Sequence, residues 1–375
     1  MSPGAIDQLL AGITGLTWQS IVMFAVAGVL LYLAIARDYE PLLLVPIASG
    51  AILANLPLSP VVGEDGLLSI LYAAGVENEL FPVLIFIGIG AMTDFGPLLE
   101  NPRLVLLGAA GQFGIFGVLL VALLLGFTRA ESASIGVIGA IDGPTSIYVS
   151  GQLAPHLLGP ITVAAYSYMA LVPVILPPIM RALTSQSERR IRMQPAGRVV
   201  SRRTRILFPI GTTLLVGTLV PFATPLVGSL MLGNLLRESQ VVQRLTGAAS
   251  NELANVVTLF LGLAIGSTMI GTSFLAASTL AILALGILAF GLDAAAGIVF
   301  AKLLNRASGG TFNPLIGAAG ISAFPMAARV VQRVAQTEDF ENFPLMHAMG
   351  ANAAGQVAST VAGGVLLALV AGAGG

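Results

Sequence analysis

The sequence predicts an all-α integral membrane protein of about nine to eleven helical segments, two of them interrupted or re-entrant helices in an inverted repeat. Three observations predict it. Of 375 residues, 56% are hydrophobic and only 9% charged, with a mean hydropathy of +0.93, where a soluble domain carries about 25% charge. Apolar runs such as GVLLVALLLGF (117–127) are continuous, whereas strands of a membrane barrel alternate apolar and polar residues. Two apolar stretches are interrupted by proline beside polar residues, at Asp142-Gly143-Pro144 and between Asn313 and Pro325. Interrupted segments at corresponding places in two halves are the mark of an inverted-repeat transporter.

Each element follows from its residues. The first 17 residues, MSPGAIDQLLAGITGLT, lack the basic start of a secretory signal. Ile6, Leu9, Leu10, Ile13 and Leu16 share a helical face there and predict a short interfacial helix. Spans are expected at 18–37 and 41–56, separated by Arg37, Asp38 and Glu40. Residues 57–80 are polar. Residues 81–93 are apolar but too short to cross a bilayer, and end at Asp94 and Pro97. A long span is expected at 103–128, a broken one at 132–153 and another at 160–183. Arginines 181, 189, 190, 192, 198, 202, 203 and 205 follow, eight of the chain's 17 Lys and Arg. Short loops rich in Lys and Arg stay inside, so this loop reads as cytoplasmic; an anionic-lipid or nucleic-acid patch is the weaker reading. The second half gives a span at 206–232, a short piece at 254–267, segments at 273–291 and 293–305, a Gly-rich stretch at 310–325 broken at Pro325, and a last helix at 345–373. FIGIGAMTDFGPLL (86–99) resembles FLGLAIGSTMIGTSFL (260–275), and GAIDGPTSIYV (139–149) resembles GISAFPMAARV (320–330). The organisation expected is one polytopic domain: N-terminal spans 1–80, a first repeat 81–183, the Arg-rich loop 184–205, and a second repeat with the C-terminal helix at 206–375.

Composition narrows the chemistry. A net charge of −1 gives no general attraction for nucleic acid. The absence of cysteine excludes thiolate catalysis and Cys-ligated metal, and His156 and His347 alone cannot build a His-rich site. The fragment at Gly88–Gly90 follows no strand, so nucleotide binding is not supported. Asp142 is the strongest single signal, because a charge inside an apolar run costs about 2.5–3.5 kcal/mol on insertion scales. Pro144 frees carbonyls of the preceding turn, and Thr145 and Ser146 add hydroxyls, a hard-oxygen set suited to Na⁺; Asp142 also reads as the N-cap of the second half-helix. At the matching break, Asn313 supplies an amide, Gly317 and Gly320 permit close backbone approach, and Ser322 offers a hydroxyl. Arg329 is a lone cation among Ala and Val, suited to a carboxylate substrate, to a pair with Asp142, or to a snorkel toward the interface. Tyr166 and Tyr168 point to different helix faces, so at most one faces Asp142. Asn352 lies among small residues, as a ligand or a helix–helix hydrogen bond. His347 reads as structural, and Asp94 and Gln112 as further intramembrane candidates.

The segments GAMTDFGPLLENP, GAIDGPTSIYVSGQLAP, AYSYMALVPVILPPIMRAL, NPLIGAAGISAFPMAARV and LMHAMGANAAG resemble the integral-membrane β subunits of biotin-dependent sodium-pumping decarboxylases, from about residue 80 to the C-terminus. The resemblance implies that a partner α carboxyltransferase subunit moves CO2 onto biotin of a carrier subunit. The β subunit then decarboxylates carboxybiotin and moves Na⁺ outward, consuming a proton. It implies a small γ or δ membrane subunit, a homo-oligomeric core, and a prokaryotic cytoplasmic (inner) membrane. Neither nucleic acid nor a covalently bound cofactor is expected. The family's functional residues fall on Asp142, Tyr168, Asn313, Gly317, Ser322 and Arg329. The roles expected are catalysis by Asp142, Tyr168 and Arg329, carboxybiotin binding by Arg329, Ser322 and Gly317, and Na⁺ binding by Asp142, Asn313, Ser322, Tyr168 and Asn352. The competing reading is a secondary Na⁺/H⁺ antiporter or a Na⁺-coupled carboxylate transporter, since fold analogy does not separate these. A purely structural anchor has no use for Asp142 and Arg329 in proline-broken helices.

Overall fold

A computed structural model describes residues 12–38, 40–63, 65–140, 142–194, 199–323 and 325–371. These residues are helical, with no strand among them. Most of the N-terminal interfacial helix expected from Ile6, Leu9 and Leu10 lies outside the described residues. Five helices are long and apolar enough to cross a membrane, or up to seven when each of two bent pairs is one span. Leu80–Met92 is apolar but too short to cross alone.

Helices α1 (Trp18–Arg37) and α2 (Pro41–Asn55) form a hairpin. Thr17 caps α1 by accepting the Ser20 N–H at 3.1 Å, and Asp38 ends it in the left-handed region at φ 56°. A polar connection leads to α3 (Leu80–Met92), α4 (Leu104–Ala110) and α5 (Phe113–Leu124). The long span expected at 103–128 corresponds to one apolar span, Leu104–Leu124, with a turn at Gly111 and Gln112. Then come α6 (Arg129–Gly136), a 3-10 turn (Val137–Ala140), α7 (Gly143–Leu153) and α8 (Leu158–Leu183), with α8 bent by 65° beside residue 170. After the linker, the single span expected at 206–232 is a helical hairpin of α9 (Arg202–Leu219) and α10 (Thr224–Ser239), parted at Val220-Pro221. Proline lacks the N–H that would continue α9. Next are α11 (Ala254–Ser267) and α12 (Ala277–Ala307). The two segments expected at 273–291 and 293–305 are this one helix of 31 residues, about 46 Å long at 1.5 Å per residue. A second 3-10 turn (Pro314–Ala319), α13 (Met326–Glu338) and α14 (Leu345–Ala371) complete the chain.

At both breaks a 3-10 turn is followed, after a short non-helical connection, by a helix. The segments around α3 and α11 also correspond. Each follows a π-helical turn (Tyr72–Glu77 and Ala249–Leu253) and precedes a short helix (Gly96–Glu100 and Gly271–Phe274). Small residues bring the helices into backbone contact. Gly50 of α2 meets Gly266 of α11, and Gly90 of α3 meets Leu230 of α10. A Cβ at either site would overlap a neighbouring carbonyl.

The described start of the linker is tied down by ion pairs. Arg189 pairs with Glu338 at 2.8 Å, and Arg192 with Asp339 at 2.6 Å and Glu341 at 2.8 Å. The arginine partners hold the Glu338 and Asp339 carboxyls below the usual carboxylate range. Arg205 lies 3.7 Å from Glu238 and 4.0 Å from Asp94.

Candidate functional site

The first break places a carboxylate where the helix ladder opens. Asp142 adopts extended backbone (φ −129°, ψ 100°) as the N-cap of α7, and Pro144 occupies the first turn, where a missing N–H costs nothing. Its Oδ1 accepts the Thr145 N–H at 3.4 Å, and its Oδ2 accepts the Thr145 hydroxyl at 2.8 Å. Across the interface, Ser359 of α14 donates to the same Oδ2 at 3.1 Å. Asp142 is 4% exposed. It is a cap, but one whose second oxygen is shared with another helix.

The second break is held by side-chain amides. The carbonyls of three consecutive residues accept from three different side chains: Gly320 from Gln112 at 3.5 Å, Ile321 from Asn352 at 2.6 Å, and Ser322 from Gln356. The first of these is long and is the weakest. Donation through nitrogen fixes each amide's orientation. The oxygens left over, Gln112 Oε1, Asn352 Oδ1 and Gln356 Oε1, are buried without a hydrogen-bond partner. Buried polar atoms are satisfied in the great majority of cases, so this group of neutral oxygens is suited to a hard cation. The Ser322 hydroxyl donates to the Gly355 carbonyl at 3.0 Å.

The two breaks line one cavity of about 630 Å³, within the usual size range of small-molecule sites. Asp142, Tyr166, Ser322 and Gln356 are its deeply buried polar members. Glu40, at the start of α2, and exposed Arg329, in the first turn of α13, line it toward solvent. Arg329 has neither a hydrogen bond nor an ion pair among the described residues, so its charge is available to an anion. Burial raises the Glu40 carboxyl above its ordinary value; nearby Arg329 lowers it and Asp38 raises it further. The remaining wall is largely apolar, with Ile85, Ile89 and Met349.

The structure brings Asp142, Ser322 and Arg329 together and sets other expected residues apart. Tyr166 is the tyrosine of the pair that stands beside Asp142. Its ring lies against Gly143, where a Cβ would fall within the ring, and its buried hydroxyl has no partner. Tyr168 faces the other way. It donates to the Leu283 carbonyl, packs on Gly286 of α12, and is not among the cavity's lining residues. Asn313 is also outside the cavity: its side-chain N–H groups go to the linker carbonyls of Arg189 at 3.2 Å and Ile191 at 2.8 Å, and its oxygen accepts from the Leu315 N–H at 3.0 Å. Gly317 is packed backbone to backbone against Gly297 of α12. Asn352 is at the second break, as described. His347 approaches the linker carbonyl of Gln194 at 3.1 Å, and Asp94 lies within 4.0 Å of Arg205 and 3.8 Å of Arg237. Gln356 and Ser359 were not singled out from the sequence. The signal was present, because 352, 356 and 359 follow the i, i+4, i+7 spacing of one helical face.

The family model described as the Na⁺-transporting oxaloacetate decarboxylase beta subunit matches residues 19–370. The chain is 53% identical over 383 residues to methylmalonyl-CoA decarboxylase subunit beta of Propionigenium modestum, covering 96% of each chain. It is 51% identical over 362 residues to glutaconyl-CoA decarboxylase subunit beta of Acidaminococcus fermentans, again covering 96% of each. Similarity to the oxaloacetate decarboxylase beta chain of Klebsiella pneumoniae is 46% over 410 residues, covering 93% of this chain and 94% of that one.

Proposed function

We propose, for a chain that belongs to the family of Na⁺-transporting oxaloacetate decarboxylase β subunits, that the cavity between the two breaks is where decarboxylation and Na⁺ movement meet. The chain is a multi-pass membrane subunit of a multi-subunit, biotin-dependent decarboxylase, and decarboxylation in this family is coupled to Na⁺ transport. A free-standing Na⁺ carrier is not favoured.

The substrate on this reading is carboxybiotin, presented by a carrier subunit that an α carboxyltransferase has loaded. Arg329 receives its carboxylate at the open side of the cavity. The C–N bond to CO2 breaks, the electron pair stays on the ureido nitrogen, and that nitrogen takes up one proton. The Tyr166 hydroxyl, unpartnered beside Asp142 in the same cavity, is suited to relay that proton, its own being replaced from water at the open side. Na⁺ binds deeper, at Asp142, with the Ser322 hydroxyl and the free amide oxygens of Asn352 and Gln356 as neutral ligands. Asn313, Gly317 and Tyr168 support this geometry from outside: Asn313 ties the second break to the linker, and the other two seat on α12. The membrane is the prokaryotic inner membrane, with the linker at 184–205 on the cytoplasmic side, from which the carrier enters. A small γ or δ membrane subunit and further β copies complete the complex, and the halves 81–183 and 206–375 are the two repeats. Relatives named for three different acids are similarly close, in keeping with the acid being read by the α subunit.

The observation that carries this reading is the meeting of an unpaired cation and a buried carboxylate in one cavity, with the unpartnered amide oxygen of Gln356 among its lining residues. The test is decay of carboxybiotin by the purified complex, titrated with NaCl, for wild type and Asp142→Asn. Na⁺-stimulated decay that is lost in the variant supports the reading. Decay with unchanged Na⁺ dependence in Asp142→Asn contradicts it.

A further inference from the structure

A second buried carboxylate sits outside the cavity and has no part in the mechanism above. Asp293 lies in the middle of α12, fully buried. It is flanked on one helical face by Gly286, Ala289, Gly297 and Ala301, at steps of three and four residues. The turns of both breaks and the start of α5 seat on that face. Ile138, in the first 3-10 turn, and the ring of Tyr168 meet α12 at Gly286; Gly139 meets Ala289 and Asp293. Gly114, at the start of α5, meets Ala289 and Asp293. Gly317, in the second 3-10 turn, meets Gly297 and Ala301.

Asp293 joins two of these segments. Its Oδ1 accepts the backbone N–H of Gly114, in the first turn of α5. Its Oδ2 is buried, has no hydrogen-bond partner, and abuts Gly139 so closely that a Cβ there would overlap it. Gly139 stands three residues before Asp142 in the chain, in the 3-10 turn that ends at Ala140. The position of that turn, and hence of the Asp142 carboxylate, is set against Asp293. A neutral Ser or Asn would cap α5 equally well. An ionisable side chain at this depth is expensive and in membrane proteins marks function, so capping alone does not account for an acid with one oxygen left free.

We infer that Asp293 is a positioning residue for the cation site: its carboxylate holds the start of α5 and the 137–140 turn in register, and so sets the Na⁺ affinity of Asp142. The inference rests on the reading of Asp142 as the Na⁺ ligand. Residues that orient a metal ligand without touching the ion change affinity by about tenfold to a hundredfold when replaced.

The experiment is Na⁺-dependent thermal stabilisation of the purified complex at constant ionic strength, with choline replacing Na⁺. Wild type, Asp293→Asn and Asp293→Ser are compared, with carboxybiotin decay measured as rate at saturating Na⁺ and as half-saturating Na⁺. Asp293→Asn keeps the shape and the Oδ1 acceptor but puts an amide nitrogen where the oxygen abuts Gly139. The expected result is a Na⁺ half-saturation raised about tenfold or more, with the rate at saturating Na⁺ largely kept. Asp293→Ser, which keeps a cap and removes the oxygen facing Gly139, shows the same shift and serves where the Asn variant does not fold. Wild type that responds to Na⁺ beside variants with an unchanged midpoint overturns the inference and leaves the Asp142 reading standing. Wild type that gains no stability from Na⁺ removes the Na⁺ site itself, and the inference with it.

Discussion

Gly143→Ala probes the contact on which the cavity floor depends. A Cβ at 143 would fall within the ring of Tyr166, against Cζ, Cε1 and the hydroxyl oxygen. That ring is 3% exposed, and Val163 and Met169 belong to the same packed cluster, so it has little room to retreat. Overpacking of this kind costs about 1–3 kcal/mol. If the strain falls on the bound geometry of Asp142, the next residue back, it weakens Na⁺ by about 5- to 150-fold. The assay is a double-mutant cycle on the purified complex, reading the thermal midpoint and the Na⁺ half-saturation. Tyr166→Ala is itself destabilising, by about 3–5 kcal/mol if it behaves as other large aromatics do. It also opens the space the new methyl needs. The double variant is therefore less damaged than the sum of the singles, by about the 1–3 kcal/mol of the clash. Additivity within about 0.5 kcal/mol, or a Gly143→Ala protein with wild-type stability and Na⁺ response, would refute the contact.

Asn352→Ala removes the donor to the Ile321 carbonyl and leaves that buried group bare, a loss of about 1–3 kcal/mol. Thermal unfolding without Na⁺ should show it, and Na⁺ should restore less stability than in wild type. Glu131 completes a capping box with Thr128 at the start of α6. The Thr128 backbone N–H, then the His156 ring, hold its carboxyl below the usual value. A depressed folded value gives stability that is fully present above the unfolded value of about 4.3 and is lost as pH falls through the folded one. The midpoint gap between wild type and Glu131→Gln should thus be constant near neutrality and close in acid; a gap that widens in acid reverses the sign. The pairs of Arg192 with Asp339 and Glu341 are exposed and screened by salt. Trypsin cleavage at Arg192 should rise with choline chloride, and Asp339→Asn should cleave rapidly even at low salt.

How much of this was legible in the sequence depends on whether a residue's role is local. Asp142 stands out because its insertion cost belongs to one residue in an apolar run, and Pro144 marks the open ladder beside it. The same reasoning reaches Ser322 and Arg329. Tyr166 and Tyr168 could be assigned to different faces, but which face meets Asp142 depends on how the bent helix α8 packs. Asn313 in an Asn-Pro break resembles a ligand; its partners are linker carbonyls 122 and 124 residues away, which no local pattern records. Gly111 did not read as a turn, because membrane helices use glycine freely. Pro221 was absorbed into one span, although it ends α9. Asp293 was read as the first residue of a second segment, since an acid in a long apolar stretch looks like a boundary until α12 is seen to run through it.

The most direct measurement is Na⁺ uptake into inverted membrane vesicles that hold the whole complex, driven by decarboxylation, with and without avidin, and with Asp142→Asn. Uptake that avidin blocks and Asp142→Asn abolishes, while carboxyl transfer to biotin continues, is the predicted result. Uptake that is insensitive to avidin, or that persists in Asp142→Asn, would contradict a cavity in which carboxybiotin decarboxylation moves Na⁺.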